Sequence, residues 1–179
     1  MRKVVLYIAA SIDGFIAGPK GEIDWLHSIE NPDNDDFGYP KFYRSIDTTI
    51  MGNSTYKQIL SFGIDFPYSD KTNYVFTKNK TLIDMDNINF VNADHKNFVS
   101  SLKSANGKNI WLIGGGKVNS FFLKNNFIDE IILATIPIIL GKGIPIFSQM
   151  KKSKEMIISR MQKYNCGVVQ QRLSLKYPN

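Results

Sequence analysis

Short apolar runs recur along the chain, each closed by glycine, aspartate or asparagine and followed by a stretch with apolar residues at helical spacing. Val4 to Ala10 is the first run, and it closes at Ser11-Ile12-Asp13-Gly14, where Asp-Gly marks a turn. Further strands are predicted over Thr48 to Met51, Asn73 to Thr77, Asn89 to Val91 and Ile110 to Ile113. Helices are predicted between them: Asp36 to Ile46, with Pro40 limiting its start, and a second beginning over Tyr56 to Leu60. A third covers His95 to Ala105, where Phe98, Val99 and Leu102 share a face and Asn106-Gly107 stops it, and a fourth runs to Leu123. Ile128 to Ile139 reads as a long apolar strand in which Pro137 implies an edge, a bend or the strand's end. Met156 to Met161 and Val168 to Leu175 form a closing antiparallel pair around Asn165-Cys166-Gly167. The alternation predicts an α/β fold: a mostly parallel central sheet with helices on both faces and an antiparallel C-terminal edge. With neither repeat nor linker, residues 1–179 read as a single domain. The stretch from Gly18 to Asp36 is longer than a connection needs, and its composition marks it as a substrate-side loop with Ile23-Asp24-Trp25-Leu26 as its apolar cluster.

Composition narrows the class without choosing a function. Hydrophobic residues are 43% and charged residues 21%, as in soluble globular proteins, and no apolar stretch reaches membrane-spanning length. A cytoplasmic protein with no membrane partner is expected. Cys166 is the only cysteine, so neither an internal disulfide nor a thiolate cluster can form, and His27 and His95 are too few and too distant to suggest a metal site. The net charge of +6 is scattered, with only Lys151-Lys152-Ser153-Lys154 forming a run. Nucleic acid is therefore not the expected partner, whereas a basic excess suits ligands that carry phosphates.

Three strand ends share one kind of chemistry. Asn109 to Ile113 breaks into Gly114-Gly115-Gly116-Lys117-Val118, a turn whose glycines let a ligand approach the backbone and whose following helix aims N–H groups at an anion. Met51-Gly52-Asn53-Ser54-Thr55 places a glycine, an amide and two hydroxyls at a second strand-to-helix turn, and Phe76-Thr77-Lys78 offers a hydroxyl and a cation at a third. Each alone is more often a helix cap than a site. Together, at the carboxyl ends of an open α/β sheet, they point to a dinucleotide.

The order of Ala9-Ala10-Ser11-Ile12-Asp13-Gly14-Phe15-Ile16-Ala17, Met51 to Tyr56 and Ile113 to Gly116 resembles the dihydrofolate reductase fold, a three-layer α/β arrangement. The segment from Asp129-Glu130-Ile131 through Pro137 to Phe147 is similar to the C-terminal reductase domain of bacterial riboflavin biosynthesis enzymes and their stand-alone relatives. The resemblance covers roughly residues 2 to 175. It implies an NADPH-dependent reductase of a pteridine- or pyrimidine-like small molecule, similar to 5-amino-6-(5-phosphoribosylamino)uracil reductase, and usually a homodimer. It further implies that Ala10 and Ile16 lie beside the nicotinamide. Gly52, Ser54 and Thr55 hold one part of the phosphate backbone, and Gly114, Gly115, Gly116, Lys117 and Val118 the other, while Thr77 and Lys78 flank the adenosine ribose. Two positions depart from the family pattern. Asn53 stands where the family often has arginine for the 2′-phosphate, making Lys78 the natural substitute, and Phe15 replaces the lysine that commonly follows Asp-Gly near the substrate.

Reducing an imine also needs a proton. Counting back from Met51 places Asp36 where dihydrofolate reductases carry their acid, although a helix N-cap is the competing reading. Asp13 is a nearer alternative acid by position, although fixing a turn is its commoner role; Asp13, Phe15 and Trp25 are the candidate substrate-side residues, and Trp25 either stacks on a flat ring or belongs to a core satellite. The apolar excess of Ile131, Leu133, Ile136 and Ile138 suggests an uncovered edge strand and hence a twofold dimer. A dihydrofolate reductase proper and a non-catalytic nucleotide-binding dimeric module are the alternative functions.

Overall fold

The structure, a computed structural model, describes residues 1–148, 150 and 152–176, so that Lys151 of the basic run lies outside the described residues. Strand β1 (Val4–Ser11) crosses the middle of an eight-stranded sheet. On one side of it lie β6 (Asn109–Gly114), β3 (Ile46–Gly52), β4 (Thr72–Phe76) and β5 (Ile88–Val91), all parallel. On the other lie parallel β7 (Glu130–Ile136), then β10 (Val169–Leu175) and β9 (Met156–Lys163) as an antiparallel hairpin. The sheet is mostly parallel with an antiparallel C-terminal edge, as the alternation predicts.

Period-two alternation assigns the two faces. Val4 and Leu6 of β1, with Ile110 and Leu112 of β6, point toward Val99 of α3 (His95–Ser104) and Phe122 of α4 (Gly116–Lys124). Val5 and Trp111 point the other way, toward Phe42 of α1 (Tyr39–Arg44), and Met51 packs with Tyr56 and Ile59 of α2 (Asn53–Leu60). At the base of the first face the buried Lys103 ammonium donates to the Phe127 carbonyl at 3.0 Å and to Asp129 at 2.5 Å, and Asp129 also accepts the Val4 N–H at 2.7 Å. No helix of the described residues is long and apolar enough to cross a membrane.

Three expectations change. First, α1 begins at Tyr39, because Gly38 takes a left-handed N-cap conformation and Pro40 occupies the first turn, leaving Asp36 outside the helix. Second, β7 lies between β1 and β10 instead of at an edge, so its apolar residues are consumed within the sheet and do not argue for a dimer. Pro137 falls just past its last residue. The edge on that side is β9, where Ile157, Ile158 and Met161 are 50%, 54% and 66% exposed. Third, two short strands that no periodicity could reveal, β2 (Phe15–Ala17) and β8 (Ile144–Pro145), pair antiparallel and tie the end of β1 to the segment after β7.

Candidate functional site

At the carboxyl ends of β3, β4 and β6 the chain forms an open cavity of about 800 Å³. Its wall brings together Gly52, Asn53, Ser54 and Thr55, then Thr77 and Lys78, then Gly115, Gly116, Lys117 and Val118. Gly52 and Gly115 are the N-caps of α2 and α4, both extended, and neither helix receives a side-chain capping hydrogen bond. Ser54 and Thr55 are therefore not consumed as caps, and the orphan first-turn N–H groups of two helices converge on one cavity wall. That arrangement suits a chain of phosphates.

The three glycines of the β6–α4 turn serve different ends. Gly114 has φ +111°, a region that favours glycine, and its missing Cβ leaves room for the Asn119 amide. A Cβ on Gly116 would overlap the Pro145 carbonyl oxygen, so this position is glycine because β8 crosses over it. Gly115 alone is open, since a Cβ there would meet only Thr55 Oγ1 at 3.5 Å and Ile16 Cδ1 at 3.8 Å. Chain packing accounts for two of the three glycines, and close approach by a ligand is the role left for Gly115. Gly52 faces Val118, whose Cγ2 is 3.0 Å from where its Cβ would stand, so the two helix starts touch.

The residues expected beside a nicotinamide do not line the cavity directly. Ile16 on β2 reaches toward Gly115 and Thr55, whereas Ala10 is buried in β1 opposite Thr135 and Gly114 lies behind the wall. Asp13 is a clamp: one carboxylate oxygen accepts the Ser11 hydroxyl at 2.6 Å and the Leu140 N–H at 3.1 Å, and the other accepts the Gly141 N–H at 2.7 Å. The Ser11 hydroxyl first, and then the two backbone N–H groups, hold its pKa below the ordinary 3.8. Because the folded value is depressed, the clamp contributes above pH 3.8 and is lost as pH falls through the lower folded value. Asp13→Ala is expected to raise the Kd of any ligand held in this cavity severalfold at neutral pH with little change in Tm, since the exposed clamp positions the segment that carries Ile144 into the cavity.

Asp36 and Trp25 stand elsewhere. Asp36 is exposed, its carboxylate accepts the Gly38 N–H at 2.7 Å, and its carbonyl accepts the Tyr39 N–H at 2.9 Å. It lines a separate cavity of about 510 Å³ on the α1 face of the sheet, with Tyr7, Lys41, Arg160 and Tyr164. Tyr7 there donates to the Phe37 carbonyl at 3.0 Å, and burial pushes its pKa up to about 12. Trp25, on a single 3-10 turn (Asp24–His27), is buried against Ile136, Tyr164 and Val168, and its indole N–H has no partner among the described residues. It belongs to a satellite of the core. Phe15 packs at β2, its N–H donating to Ser11 Oγ at 3.0 Å.

Phe76, Asn79, His95, Phe121, Gln58 and Ile144 also line this cavity, and nothing in the sequence marks them as site residues. Phe121 lies one helical turn beyond Lys117 and Val118, a spacing that makes it findable once that turn is placed. His95 and Ile144 come from remote elements and carry no such signal.

The sequence profile of the RibD C-terminal domain matches residues 68–170, more than half of the chain. The uncharacterized Bacillus subtilis (strain 168) protein YwjB is 40% identical over 167 residues, covering 93% of this chain and 95% of its own length. A Shewanella sp. PV-4 protein named for riboflavin biosynthesis superposes with a TM-score of 0.88 at 30% identity, covering 99% of this chain and 100% of that one. Dihydrofolate reductase from Enterococcus faecalis, solved with NADP(H), superposes with a TM-score of 0.64 at 15% identity over 98% and 97% of the two chains, a likeness of fold.

Proposed function

Because this chain belongs to the RibD C-terminal domain family, we propose that it is an NADPH-dependent reductase of a pteridine- or pyrimidine-like small molecule. The observation that carries the reading is the convergence of two helix N-termini without side-chain caps, with Thr77 and Lys78 beside them, on one cavity at the carboxyl ends of the sheet. In this reading α2 and α4 hold the pyrophosphate through first-turn N–H groups and the Ser54 and Thr55 hydroxyls. Lys78, exposed at the cavity rim, pairs with the 2′-phosphate in place of an arginine at Asn53. Ile16, beside Gly115, bounds the nicotinamide end, where apolar contact excludes water, and Ala10 lies buried in β1 behind it. Bound NADPH supplies the hydride, and the protein's contribution is orientation.

Lys78→Ala is expected to weaken NADPH binding about tenfold while leaving NADH binding unchanged, corresponding to about 1.4 kcal/mol for one exposed charge-assisted phosphate contact. Fluorescence titration through Trp25 and Trp111 measures both ligands. Equal losses for NADPH and NADH would remove Lys78 from the 2′-phosphate, and binding of neither by the unsubstituted protein would leave the turns as structural elements of a non-catalytic module. The reading includes a cytoplasmic homodimer joined along β9, whose exposed isoleucines lie on an edge unpaired among the described residues, with neither nucleic acid nor membrane as partner.

A further inference from the structure

Resting on that reading, we propose that His95 identifies the base of the dinucleotide by accepting a hydrogen bond from the exocyclic amine of adenine. Beside Thr77 and Lys78 the cavity wall is aromatic. The His95 ring lies 4.4 Å from that of Phe76, tilted by 39°, and 6.1 Å from that of Phe121, edge-on at 72°. All three residues line the cavity, forming a wall against which a planar base can pack. With the pyrophosphate assigned to the α2 and α4 turns and the 2′-phosphate to Lys78, this wall is left as the place for the base.

The tautomer follows from the backbone. His95 Nε2 lies 3.0 Å from the Val91 carbonyl oxygen, which can only accept, so Nε2 carries the proton. In the neutral imidazole Nδ1 is then a bare acceptor, and it has no partner among the described residues. Nearby side chains supply donors: the Lys78 ammonium, and the Asn79 amide at the same rim. An acceptor at the aromatic wall complements an amine. A 6-oxo base would instead point a carbonyl oxygen at the Nδ1 lone pair, and a site built for a donor rejects an analogue that lacks it.

The test compares NADPH with nicotinamide hypoxanthine dinucleotide phosphate, its 6-oxo analogue in the reduced form, by fluorescence titration of the intact protein. The unsubstituted protein is expected to bind NADPH about tenfold more tightly, and His95→Phe to abolish that preference by weakening NADPH while leaving the analogue's affinity close to its original value. His95→Asn, whose amide oxygen can also accept, is expected to retain part of the preference. Folding is not at stake, because the Val91 carbonyl keeps its hydrogen bond from the Thr77 N–H at 3.0 Å when the imidazole is removed. Equal affinities in the unsubstituted protein, or an undiminished preference in His95→Phe, would overturn the assignment while leaving the reductase reading intact. Binding of neither dinucleotide would overturn both.

Discussion

Gly116→Ala is expected to lower NADPH affinity roughly a hundredfold and to destabilise the protein by about 1–3 kcal/mol. The added Cβ meets the Pro145 carbonyl oxygen, which belongs to the backbone and cannot swing aside like the end of a side chain. Either β8 lifts away from α4 or the start of α4 tilts. Both movements separate the first-turn N–H groups of α4 from those of α2, and the Ile146 carbonyl then loses the Asn119 amide that donates to it at 2.9 Å. Gly115→Ala is the companion measurement. Its Cβ finds only ordinary contacts, so Tm is expected to hold, yet it occupies the space through which the backbone would approach a phosphate. Reduced affinity without reduced stability in Gly115→Ala, set against both losses in Gly116→Ala, separates the ligand's requirement from the fold's.

Asp129→Ala is expected to destabilise the protein by about 3–5 kcal/mol, lowering Tm by roughly 10 °C in thermal unfolding. The Lys103 side chain is only 8% exposed, and without Asp129 its ammonium keeps the Phe127 carbonyl as its hydrogen-bond partner. The same substitution removes the acceptor of the Val4 N–H at the start of the central strand. Lys103→Met is expected to cost less, since Asp129 remains 32% exposed to water and bonded to Val4. The pair lies at the amino end of β1, on the opposite end of the sheet from the cavity, so NADPH affinity of the folded fraction is expected to be unchanged.

The parts of this protein that were legible in its sequence are those whose signal is contiguous. Strands and helices appear because apolar residues repeat with a local period, and the turns at Gly52 to Thr55 and Gly114 to Val118 appear because glycine, hydroxyls and a helix start sit side by side. What escaped depends on pairing across the chain. Strand β7 has the composition of an edge strand in need of a partner, yet its partners are β1 and β10, more than thirty residues away in each direction, and no local pattern encodes that order. The glycine at 116 looks like a concession to a ligand until β8 is seen crossing it. Counting along the chain puts Asp36 at the acid's position, whereas a left-handed Gly38 shortens α1 enough to leave that carboxylate in a turn beside a different cavity. His95 and Phe121 each contribute a single side chain from separate helices, and they meet only through the fold.

The central claim is that the cavity between α2 and α4 holds NADPH in one orientation, and a crystal structure of the protein grown with NADP⁺ tests it most directly. Pyrophosphate density is expected between Gly52–Thr55 and Gly115–Val118, the 2′-phosphate at Lys78, adenine against Phe76, His95 and Phe121, and the nicotinamide toward Ile16. A dinucleotide bound in the reverse direction, or seated in the cavity lined by Tyr7 and Asp36, would contradict it.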